Sequence, residues 1–136
     1  MSKFQLQVSY DFDFVLLGLS SPAKYYHLCW HINDTCGLLL ARADDLEMRT
    51  GKEKDVFVRM AYEDEDNYRS FDLIQNKGAH SMVLKEHSSA DYLLKISGSE
   101  WHDMDGFVQD LKSLPIVQTV YEINLDAIGK KELLVF

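Results

Sequence analysis

"DYLLKISGSEWHDMDGFVQDLKSLPIVQTVYEIN", Asp91 to Asn124, is the stretch whose reading decides the fold. "DYLLKIS" is a short, nearly unbroken apolar run, which predicts a strand. From Trp101 the period changes. Trp101, Met104, Phe107, Val108, Leu111 and Leu114 recur at three- and four-residue spacings, so "WHDMDGFVQDLKSLP" predicts an amphipathic helix. Asp103 and Asp105 stand near its start and Lys112 near its end, the signs a helix macrodipole favours. Pro115 stops it, and "IVQTVYEIN" reads as a further strand.

Upstream, "KFQLQVSY" alternates cleanly, with Phe4, Leu6, Val8 and Tyr10 on one face, and predicts a half-buried strand. "DFDFVLLGL" fits either a buried continuation of that strand or a first turn of helix. "SSPAKYYHLCWHINDTCG" predicts a helix. Ser21 is its expected N-cap, Pro22 its first residue and Gly37 its left-handed stop. Tyr25, Leu28, Cys29, Ile32 and Cys36 share one stripe of it. "LLLARADDLEMRTGKEK" runs from a short apolar piece into a polar loop. "DVFVRMAY" and "YRSFDLIQ" flank "EDEDN" as an antiparallel pair, and "HSMVLK" and "DYLLKIS" flank "EHSSA" as a second. The apolar tail "ELLVF" is expected to be packed or paired.

The order β-α-β-β-β-β-α-β predicts an α+β fold: an antiparallel or mixed β-sheet with two amphipathic helices on one face, in one domain over residues 1–136. The unit from Asp91 to Asn124 resembles the half-repeat of ferredoxin-like regulatory domains of the ACT type, especially in "LKSLPIVQTVYEI". That likeness implies a ferredoxin/ACT-like C-terminal half.

With 46% hydrophobic and 26% charged residues in 136, the chain has globular composition. Its net charge is -8, and its 14 Lys and Arg are scattered, which argues against nucleic acid or an anionic membrane as partner. No run approaches the ~20 apolar residues of a membrane span. The N-terminal sequence lacks a signal-peptide pattern, and two cysteines, Cys29 and Cys36, suit a reducing compartment, so a cytoplasmic setting is expected.

"LKEHSSADYLL", Leu84 to Leu94, has the look of a signature. It resembles the motif of the IPExxxVDY family, small bacterial proteins of unknown function. Leu84, Lys85 and Glu86 stand where that motif has Ile-Pro-Glu, and Ala90, Asp91 and Tyr92 where it has Val-Asp-Tyr. "YDFDFVLLGLSS", "LCW", "YEDEDN" and "LLVF" add to the likeness. The resemblance implies no activity, because none attaches to the family.

In a regular strand Asp91 and Tyr92 would point to opposite faces, which opposes an acid–base pair built from neighbours. The plainer reading makes this stretch a strand–turn–strand connection with Tyr92 in the core; the alternative is a site using Glu86 and Asp91. His27, Cys29, His31 and Cys36 have the ligand types of a zinc site. On the helix, however, the histidines lie roughly opposite the cysteines, so no metal site is expected. "EDED", Glu63 to Asp66, lacks the ligand spacing of a calcium loop and reads as an acidic turn. No nucleophile elbow or phosphate loop occurs, and no cofactor is expected. Ser97, Gly98 and Ser99 form a strand-to-helix turn that could hold a carboxylate or phosphate. Three functions follow as expectations: an interaction or assembly module, with an unknown protein partner or as a homodimer through a sheet edge or the aromatic face of Tyr25, Tyr26 and Trp30; an ACT-like ligand binder; or an enzyme using Glu86 and Asp91.

Overall fold

A computed structural model describes residues 14–50, 53–98 and 103–127. The expected strand "KFQLQVSY", the tail "ELLVF", Ser99 and Trp101 lie outside them. Strand β1 (Phe14–Ser20) leads into helix α1 (Tyr25–Cys36). Four strands follow: β2 (Ala41–Arg42), β3 (Leu46–Thr50), β4 (Glu53–Phe57) and β5 (Arg59–Asp64). Then come β6 (Arg69–Gln75), β7 (Tyr92–Gly98), helix α2 (Met104–Lys112) and β8 (Thr119–Glu122).

Among the described residues the main sheet has six strands in the order β2-β5-β6-β7-β1-β8, every pair antiparallel. β1 lies between β7 and β8, so the strand–helix–strand unit β7-α2-β8 is split by the first strand. The series β1-α1-β6-β7-α2-β8 therefore has the order 8-1-7-6, the ferredoxin-like β-α-β-β-α-β arrangement. This arrangement takes in both halves of the chain, beyond the C-terminal half expected. Residues 41–64 are an insertion that widens the sheet by β5 and β2.

Both helices pack on one face, as the helical stripes predict. Leu28, Cys29 and Ile32 of α1, and Phe107 and Leu111 of α2, join Leu17, Leu19, Phe71, Leu73, Leu94 and Ile96 in one buried cluster. The other face carries a second cluster, in which Leu16, Ile74 and Leu93 meet Met48 and Phe57 of the β3–β4 hairpin and Val83, Leu84 and Ala90. With both faces covered, β7 buries five consecutive residues from Tyr92, which is why it reads as an apolar run without alternation. Leu93, Leu94 and Ile96 each contribute about 1.5–3 kcal/mol of burial.

Some details differ from the expectation. Helix α1 begins after Lys24, not Ser21, because the Ser21 hydroxyl is turned to the Ile116 carbonyl and accepts from the Ala23 amide. Gly37 closes α1 at φ 70, as expected. "DVFVRMAY" is broken at Val58, where the chain leaves the hairpin for the main sheet. "HSMVLK" forms no strand; it is held by one isolated bridge, Lys77 to Met82, and by the Asn76 side chain.

Candidate functional site

The signature stretch is built around Asn76, which is fully buried just past β6. Its Nδ2 donates to the carbonyls of His87 at 3.1 Å and Ala90 at 2.9 Å, with that of Leu84 at 3.4 Å. Its Oδ1 accepts from the Leu84 amide at 2.9 Å. One amide side chain thus replaces a strand ladder and folds residues 84–90 back onto the sheet. A polar side chain is stable in this interior because its hydrogen-bonding groups are satisfied. Leu84 and Ala90 are buried in the second core cluster, whereas Glu86 is exposed.

Asp91 lies one residue before β7, outside the regular strand, and so escapes the alternation expected for it. Its Oδ2 accepts from the Ser21 amide at 2.8 Å, and Lys77 Nζ stands 3.4 Å from its Oδ1. The Tyr92 hydroxyl donates to the Ala23 carbonyl. Burial, reinforced by the charge of Asp91, pushes the Tyr92 phenol up to about 12, so it stays a donor. Asp91 and Tyr92 therefore grip the same short connection between β1 and α1. Ser20 adds a bond from its hydroxyl to the Ser89 carbonyl.

Beside this clasp is a cleft of about 460 Å³, bordered by Lys24, Tyr25, Gln75, Lys77, Asp91 and Tyr92 among others. Asp91 and Tyr92 line it together, against the expectation of opposite faces. Glu86 does not line it, so Glu86 and Asp91 do not meet in this cleft.

A second cleft, about 480 Å³, lies over the face of the sheet away from the helices. Ala61, Ser70 and Ser97 form a floor of small residues, with Arg59, Glu63 and Asp72 around it. Ser97 of the expected ligand turn is here. Gly98 is at φ 112, and a Cβ on it would stand 2.1 Å from the Tyr68 carbonyl oxygen, so this glycine serves a close approach of β7 to β6. Next to the cleft, Arg59 Nη1 is 2.6 Å from Asp72 Oδ1, and Lys95 pairs across the strands with Asp72. Burial raises the Asp72 pKa despite Arg59, and burial lowers that of Lys95 despite Asp72. The sequence signal was available: a lone charge inside "FDLI" and another inside "LLKIS".

Asp55 is a buried carboxylate with a structural task. It accepts from the amides of Val56, Ala79 and His80 and from the Ser81 hydroxyl. Burial pushes its pKa up, but these four bonds outweigh it and hold it down at about 2. The two thiols are poor nucleophiles: burial raises both, Cys36 to about 11 with Asp110 adding to it. Among the described residues no three His, Cys, Asp or Glu side chains gather to hold a metal ion.

Outside these sites, α1 turns an aromatic face outward. Tyr26 is 58% exposed and Trp30 60%. Asn33 pins Leu40: its Nδ2 donates to the Leu40 carbonyl and its Oδ1 accepts from the Leu40 N–H. Leu38 and Leu40 are thereby buried, and Leu39 between them is left 72% exposed. The sequence reading found Tyr26 and Trp30 but not Leu39, whose exposure depends on the Asn33 bonds. No helix among the described residues is long and apolar enough to cross a membrane. No protein-family model and no curated protein matches this chain.

Proposed function

We propose that this chain is a non-catalytic protein-interaction and assembly module whose contact face is the outer side of α1. The observation that carries the reading is the exposure of three large apolar side chains, Tyr26 and Trp30 on α1 and Leu39 shortly after it. Aromatic anchors of this kind dominate binding energy at protein interfaces. The signature, by contrast, is engaged in holding the chain: Asp91 and Tyr92 bind Ser21 and Ala23. In this proposal the likeness to the IPExxxVDY motif reflects a shared structural latch, and the setting is cytoplasmic, in keeping with two free cysteines.

The test is a Tyr26→Ser/Trp30→Ser variant compared with the wild type in binding and self-association. Unchanged thermal stability with lost association supports the reading; equal association of both proteins refutes it.

A second reading is a small-ligand-binding regulatory domain of the ACT type. The cleft that includes Ser97, of a volume suited to a metabolite, favours it. A rise in melting temperature with one of a panel of free amino acids supports this reading, and a flat response across the panel removes it.

A further inference from the structure

We infer that His27 and His31 of α1 together bind one divalent transition-metal ion of the zinc, nickel or copper class, with water filling its remaining coordination positions. The two residues stand four apart in "HLCWH", inside α1, so their side chains leave one face a turn apart. Two histidines at this spacing on one helix are a recurrent way of holding zinc. The cysteines of the same helix take no part: Cys29 is buried, and Cys36 packs half-buried against the core.

The separation of the rings fits a shared ion. Their centroids are 5.0 Å apart. An imidazole nitrogen binds zinc at ~2.0–2.1 Å, which puts the ring centroid roughly 3.2 Å from the metal, and two rings at a tetrahedral angle then lie about 5.2 Å apart. The ring torsion of histidine is broad, and rotation about it turns the nitrogens while leaving the centroid nearly in place. No protein bond has to break first. Among the described residues neither ring has a hydrogen-bond partner, whereas His87 Nδ1 is 2.9 Å from the Tyr121 hydroxyl. The backbone beneath the pair is fixed, because Leu28 and Ile32, the residues next to the two histidines, are fully buried in the core. Lys24, one turn before His27, and Asp34, one turn after His31, are opposite in sign, and the chain as a whole, at net charge -8, attracts cations. Among the described residues no third ligand of the His, Cys, Asp or Glu type gathers with the pair, so the ion is held by two imidazoles and is exchangeable. Imidazole suits zinc, nickel and copper, with copper the tightest of the three.

The experiment is calorimetric titration of the metal-free full chain with zinc, repeated with copper(II) while tryptophan fluorescence is followed. Trp30 meets His31 edge-on with 5.0 Å between ring centroids, so copper on the pair is expected to quench Trp30. His27→Asn and His31→Asn are each expected to bind zinc at least about tenfold more weakly than the wild type, because either leaves a single imidazole. Both are expected to lose the quench at the same copper concentration. His27 is exposed, so His27→Asn is expected to keep the fold even if the half-buried His31 does not tolerate change, and circular dichroism without metal checks each variant. A wild type that takes up no zinc at millimolar concentration overturns the inference. So does a folded variant, of either histidine, that binds zinc as tightly as the wild type.

Discussion

Replacing Asn76 by alanine removes the side chain that organises the signature. Three bonds of 2.9 to 3.1 Å are lost, to His87, Ala90 and Leu84. At about 1 kcal/mol net for each, and with the Leu84 amide left buried without that acceptor, the loss comes to about 3–5 kcal/mol. That is a large part of the ~5–15 kcal/mol typical of a domain. For a chain of this length it lowers Tm by about 10–20 °C. Urea unfolding followed by circular dichroism measures it as a shift in midpoint at constant slope. Asn76→Asp adds a sign that packing alone does not produce. A carboxylate there faces carbonyl oxygens in the interior, so its pKa in the folded state rises above its unfolded value. The protonated form can donate one bond, so the variant's deficit against the wild type is greatest and constant above that raised value and narrows as pH falls from it toward the unfolded value. A loss below about 1 kcal/mol for Asn76→Ala, or a pH-independent deficit for Asn76→Asp, would refute the argument.

Three further predictions concern single residues. Gly98→Ala drives a methyl into the Tyr68 carbonyl at a φ of 112, and is expected to cost about 2–4 kcal/mol in chemical unfolding. Tyr92→Phe keeps the ring and removes only the bond to Ala23, so about 1–2 kcal/mol is expected from the same assay. Asp55 has a folded pKa of about 2, below its ordinary value of 3.8, so its stabilisation is present above pH 4 and is lost as pH falls toward 2. The stability gap between the wild type and Asp55→Asn is therefore expected to close over that range in acid titrations of Tm, and a constant gap would disprove the assignment.

Much of the scaffold was legible because its signal is periodic. The stripes of Leu28 and Ile32, and of Phe107 and Leu111, fixed both helices and the face they bury. β7 was legible as a strand, but its apolar run hid the fact that both its faces are covered. The insertion was harder. β2 has only two residues, and β3 and β4 pair with each other outside the main sheet, so no long pattern marks them. "HSMVLK" has the composition of a strand, yet its ladder is replaced by one asparagine eight residues before Leu84. A contact between a side chain and distant backbone has no period and leaves no trace in a single sequence. The Asp91 clasp was missed for the same reason: its partner, Ser21, is 70 positions away.

The central claim is that the signature serves to tie the β1–α1 connection to the sheet. Amide hydrogen exchange in Asp91→Asn tests it most directly. The Ser21 amide donates to Asp91 Oδ2 in the wild type, and weakening that acceptor is expected to lower protection at Ser21 and Ala23 while β6 and β7 stay protected. Unchanged protection at Ser21, with Asp91 replaced and the fold intact, would contradict the account.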